Sequence, residues 1–65
     1  MMWPMTKALI DFFDYAHLPD QLQAVSRPFH ELAHQLVDTL PESAERTVAL
    51  RKLLESKDAA VRAAL

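Results

Sequence analysis

No glycine occurs anywhere in the 65 residues of the chain. Tight hairpin turns and several strands normally draw on glycine for positive φ angles. A chain without it, yet 51% hydrophobic, is pushed toward helices joined by proline-bearing turns. The four prolines supply those breaks. The fold class expected is therefore all-α. Cysteine is also absent, which excludes a disulfide framework. A single domain of 65 residues buries only about 60% of its unfolded surface, so it needs support from a metal or a partner chain.

The helical signal is strongest from Pro19 onward. Pro19 suits a first helical position, and Asp20 then lies near the positive end of the helix dipole. Apolar residues follow at Leu22, Val25, Phe29, Leu32, Leu36 and Leu40, at spacings of 3, 4, 3, 4 and 4, widened by Ala33 and Val37. This is one helical stripe, and its phase survives Pro28, which predicts a kinked helix over 19–40 rather than two helices. The break TLPES offers two caps for the next helix: Thr39, with Glu42 at capping-box spacing, and Ser43. The second helix is expected over 43–65, with Leu50, Leu53, Leu54, Ala60, Val61 and Ala64 as its apolar line. Glu42–Arg46 and Asp58–Arg62 have the spacing of i,i+4 ion pairs. So short a connection predicts an antiparallel helical hairpin. Residues 1–18 form an N-terminal arm, in which 6–13 read as a short helix capped by Thr6 or as a half-extended segment. Phe12 and Phe13 are expected in the core, with Tyr15 at its edge. MMWPM either docks on a neighbouring chain or frays. One hairpin cannot cover both apolar stripes, so a homo-oligomer is expected.

Net charge is -2, which gives no global basic field for nucleic acid, and no DNA partner is expected. The charge is uneven. Residues 1–41 carry two basic and five acidic side chains, and residues 42–65 five basic and four acidic. No apolar run reaches the roughly 18–20 residues that span a bilayer, so no membrane partner is expected. The N-terminal MMWPMTKALIDFFDYA lacks a basic n-region and is a poor signal peptide, so the cytoplasm is the expected location.

Three constellations carry chemistry. The first is His30-Glu31-Leu32-Ala33-His34, which spells H-E-x-x-H. On a helix that pattern sets two imidazoles one turn apart beside a glutamate, as in zinc hydrolases. A zinc hydrolase also needs a third ligand. The extended pattern would want Gly at 37 and His at 40, where this chain has Val37 and Leu40, and the only other histidine is His17. The residues read instead as flanks of an amphipathic helix, leaving at most adventitious metal at His30 and His34. No catalysis, metal or cofactor is expected. The second is FFDYAHLP, where Tyr15 and His17 either stack on a nucleobase or edge the core. The third is the second helix, where Arg46, Arg51, Lys52, Lys57 and Arg62 either contact phosphates or form a solvated face balanced by Glu42, Glu45, Glu55 and Asp58.

The order of these pieces resembles the phage-encoded anti-CBASS sponge proteins, small helical-hairpin proteins that sequester cyclic oligonucleotide signals. The resemblance runs over residues 13–55. It rests on Phe13-Asp14-Tyr15-Ala16-His17-Leu18-Pro19, on Glu31-Leu32-Ala33-His34, and most specifically on PESAERTVALRKLLE. In the last, Pro41, Ser43, Glu45, Ala49, Leu50, Lys52, Leu53 and Glu55 fall in register. The chain departs from the pattern at Ala16, one residue extra in the turn, and at Ala44, where the family has arginine. It also carries His30 at a basic position and KDAAVRAAL at the C-terminal end. The resemblance implies a homo-oligomer, typically a hexamer, that holds a cyclic di- or trinucleotide between protomers without altering it. It implies that Tyr15 stacks on a base and that His30, with Arg27 nearby, approaches a phosphodiester. It also implies that Arg46, Arg51 and Lys52 face a second, more cationic pocket. A protein-interaction or assembly module, without nucleotide, is the other reading of the same hairpin.

Overall fold

The computed structural model describes residues 4–65, with side chains from Thr6 onward. The described residues form three helices and no strand: α1 (Pro4–Asp11), α2 (Asp20–Thr39) and α3 (Ala44–Ala64). The expectation for Met1, Met2 and Trp3 lies outside the described residues. No helix among the described residues is long and apolar enough to cross a membrane. The two long helices, of 20 and 21 residues, set the long axis of a 34 × 18 × 18 Å body. α2 and α3 share the largest contact, and α1 packs on both.

The core is small. Leu9, Ile10 and Phe13 come from α1 and the turn after it, Ala33 from α2 and Leu50 from α3. Phe29, Leu36, Val37, Leu53 and Leu54 pack around them. Phe13 is wholly enclosed, whereas Phe12 is 63% exposed, which corrects the expectation that both fill the core. The cause is local. α1 ends in tight turns, with Phe12 N–H donating to Leu9 O and Phe13 N–H to Ile10 O, so successive side chains are rotated by about 120° and only one can face the core.

α2 runs unbroken through Pro28. Its inward face is the apolar stripe shifted toward the flank that carries Ser26, Ala33 and Val37. The line of burial passes through Leu22, Ser26, Phe29, Ala33, Leu36 and Val37, while Leu32 is 42% exposed and Leu40 is also exposed. Small side chains at 26 and 33 let the helix approach its neighbours, and Leu22 is the only larger fully buried residue of α2. Ser26 is buried with no partner for its hydroxyl among the described residues. An unpaired buried hydroxyl costs about 1–3 kcal/mol. Ser26→Ala should therefore stabilise the chain by about 1 kcal/mol, a rise of about 4–8 °C in Tm for a domain of this size. A lowered Tm would show that the hydroxyl is paired.

At the break, Ser43 is the cap: its Oγ accepts from the Arg46 backbone N–H at 3.1 Å. Thr39 instead donates its hydroxyl back to Gln35 O at 2.8 Å. Thr6, expected as a cap, sits inside α1 and is buried. The Glu42–Arg46 pair forms at 3.8 Å, while Asp58 meets Lys57 at 3.5 Å instead of Arg62.

Arg46 is the largest revision. It is 4% exposed, so it is a structural residue and not a free cation. Pro41 has no N–H, so the Val37 carbonyl, four residues earlier, lacks its usual helical donor. Arg46 Nη1 fills that vacancy, donating to Val37 O at 3.3 Å and to Leu40 O at 3.1 Å. Nη2 donates to the Thr6 hydroxyl at 3.3 Å. One guanidinium thus ties the C-terminus of α2 to α1 from the first turns of α3, its charge placed at the negative end of the α2 dipole.

Candidate functional site

The carbonyls of Phe12 and Phe13, in the turn that follows α1, find donors on the other two helices. Each long helix supplies one. Lys57 of α3 donates Nζ–H to Phe12 O at 2.9 Å, and His30 of α2 places Nδ1 3.2 Å from Phe13 O. A carbonyl only accepts, so His30 carries a proton on Nδ1 there, and only its Nε2 remains for another partner. These two contacts fix where the chain enters the following turn, which carries Tyr15 and His17.

The turn lacks glycine and is held from outside. Leu18 N–H donates to Tyr15 O at 3.0 Å. Gln23, one turn into α2, donates its side-chain amide to Leu18 O at 2.7 Å and to Ala16 O at 3.3 Å. Gln23 is a positioning residue that no motif announced. The available signal was a long amide side chain in the first turn of a helix, facing a segment rich in unpaired carbonyls.

So held, Tyr15 is half-buried and meets His30 edge-on, with ring centroids 5.0 Å apart and planes at 78°. The Arg27 guanidinium carbon lies 5.9 Å from the Tyr15 centroid, within cation–π range. His34, one turn past His30, places its ring centroid 4.4 Å from that of His30. Tyr15, Arg27, His30 and His34 therefore form one continuous group on the turn and the adjoining face of α2. Arg27 also lines a shallow concavity of about 240 Å³ with Asp20, Gln23 and Ala24. Pro28 has no N–H, so it leaves the Ala24 carbonyl at this concavity without its helical donor. The lining there pairs one cation, Arg27, with one carboxylate, Asp20, and the Tyr15 ring approaches it through Arg27.

Of the sequence-derived site residues, the structure brings Tyr15, Arg27 and His30 together. His17 is exposed in the same turn. Arg51 and Lys52 are exposed on α3, where Lys52 pairs with Glu55 at 3.6 Å. Among the described residues no hydrogen bond or ion pair links these two to the Tyr15 group. Arg46 is withdrawn from any ligand surface by its burial. His34, read as half of a metal motif, instead extends the aromatic group. No set of three or more His, Cys, Asp or Glu residues able to hold a metal occurs among the described residues.

No family model, curated protein or solved structure matches the chain.

Proposed function

We propose that this chain is a non-catalytic sponge that binds and sequesters cyclic di- or trinucleotide immune signals, antagonising host anti-phage signalling. The observation that carries the reading is the junction of Tyr15, Arg27 and His30. An aromatic ring, a guanidinium and an imidazole nitrogen lie within one side chain's reach of each other. A nucleobase needs a flat partner, and stacking on an aromatic residue is worth about 1–3 kcal/mol per base. A phosphodiester needs charge-assisted donors, which Arg27 supplies directly and His30 through Nε2–H in its doubly protonated form. The likeness to the anti-CBASS sponges rests on the same turn and on the PESAERTVALRKLLE helix.

In this reading α2 and α3 are the two arms of an antiparallel hairpin, and the chain works in the cytoplasm as a homo-oligomer, a hexamer. The exposed Phe12, Leu32, Leu40 and Val48 support assembly, since they are large apolar side chains that one copy leaves uncovered. Ligand then lies between protomers, with His17, Arg51 and Lys52 able to enter from neighbouring copies. Arg46 is dropped from the ligand contacts and keeps its structural role. A sponge lowers free signal by mass action and has no need of a general base or nucleophile.

Tyr15→Ala tests the site. Affinity for a cyclic dinucleotide should fall about 5- to 150-fold, the loss expected for one stacked base. Unchanged affinity would reject the stacking role. Ligand recovered intact after heat denaturation separates sequestration from hydrolysis; a cleaved product would overturn the non-catalytic reading.

The same exposed apolar residues favour a second reading, a protein-interaction module that grips a partner helix. Light scattering separates the two: a ligand-free hexamer supports the sponge, and a monomer or dimer supports the module.

A further inference from the structure

The His30–His34 pair belongs to no step of the proposed sequestration as a pair, yet its geometry is specific. We propose that His30 and His34 form a two-imidazole chelate for a divalent transition metal of tetragonal preference, Ni2+ or Cu2+. The site is distinct in chemistry from a zinc hydrolase and does not depend on nucleotide binding.

Three observations carry it. First, the residues are i and i+4 on α2, a continuous helix, so both rings rise from one face one turn apart. Second, His30 is already oriented as metal-ligating histidines usually are. Its Nδ1–H is held by a backbone carbonyl, Phe13 O at 3.2 Å, which leaves the Nε2 lone pair free when the ring is neutral. Tyr15 packs edge-on against the same ring at 5.0 Å and restricts its rotation further. His34 is exposed and reaches the same space from the next turn.

Third, the ring separation admits a shared ion once each ring turns a nitrogen toward it. Take a metal–nitrogen distance of about 2.1 Å and a ring-centre-to-nitrogen distance of about 1.1 Å. Two rings with centroids 4.4 Å apart, each pointing a nitrogen at a shared ion, then subtend an angle of roughly 90° at it. That is the cis angle of square-planar or octahedral coordination. A tetrahedral zinc site would hold the centroids about 5.2 Å apart by the same construction. Imidazole ligands at a cis angle suit Cu2+ and Ni2+, which also stand above most first-row ions in affinity. The described residues supply no third protein ligand, so water completes the shell. An open, water-bearing chelate of two ligands is a weak site compared with a closed four-ligand centre.

The test is a titration of the tag-free chain with Ni2+ alone, followed by calorimetry, with Zn2+ in a parallel run. The expected result is one Ni2+ per chain, bound more tightly than Zn2+. His34→Ala, at an exposed position that leaves the core untouched, should weaken Ni2+ by about tenfold or more, since even losing a ligand's supporting contact costs 10–100-fold. His30→Ala should do the same, and circular dichroism checks that its helix content is kept. His17→Ala should leave the affinity unchanged. Equal Ni2+ affinity in parent and His34→Ala, tighter binding of Zn2+ than of Ni2+, or no binding at millimolar Ni2+ would each overturn the proposal. None of these outcomes depends on whether the chain binds nucleotide.

Discussion

Arg46→Ala is expected to destabilise the chain by about 3–5 kcal/mol, the loss typical when one partner of a buried charged network is removed. The side chain is 4% exposed and donates to Val37 O, Leu40 O and the Thr6 hydroxyl. Hydrogen bonds from a charged donor contribute about 1.5–3 kcal/mol each, and the acceptors left behind would stay partly shielded from water. A domain of this length holds only about 0.05–0.15 kcal/mol per residue of net stability, so much of the population would unfold. Arg46→Lys should recover only part of the loss. A single ammonium cannot span both α2 carbonyls and Thr6 as the planar guanidinium fork does. Urea melts followed by circular dichroism measure both variants. A loss below about 1 kcal/mol for the alanine variant would show that Arg46 is solvated, because exposed pairs contribute no more than that.

The second large effect separates two adjacent residues. Phe13→Ala should cost about 3–5 kcal/mol, the range for emptying an aromatic side chain from a core. Phe12→Ala should cost less than about 0.5 kcal/mol, as surface substitutions usually do. The contrast rests on Phe13 being enclosed by Leu9, Ile10, Ala33 and Leu50 while Phe12 faces outward. Equal losses in the two variants would mean that the turn after α1 presents both rings to the core. Phe12→Ala carries a further use: if the exposed ring is covered in an assembly, the variant should lower oligomer stability while leaving protomer helix content unchanged.

These two residues show what could and could not be read from the chain. The helices followed from the lack of glycine, the prolines at 19 and 41 and the 3–4 spacing of apolar residues, all local properties. The face of α2 followed only in part, because the stripe counts hydrophobicity and the packing counts volume. Ser26 and Ala33 are chosen by close approach to α1 and α3, while the larger Leu32 is left outside. Arg46 was read as a surface cation because its partners are remote. Thr6 lies 40 residues away, and the vacancy at Val37 exists only once Pro41 has ended the helix. The missing donor of Pro41 was nonetheless visible in advance, and a nearby arginine was the natural candidate to fill it.

The candidate site divides in the same way. Tyr15 and His30 stood out in the FFDYAHLP and H-E-x-x-H patterns, but their contact depends on a carbonyl, Phe13 O, that no side-chain pattern displays. Gln23 escaped notice because its role is to hold backbone. Arg51 and Lys52 were legible as exposed cations, but what they face depends on neighbouring copies in the proposed assembly.

The most direct test of the sponge is calorimetric titration of the tag-free chain against a panel of cyclic di- and trinucleotides. The account predicts that at least one member binds with a Kd at or below the micromolar range. Absence of binding by every member at micromolar protein would contradict it.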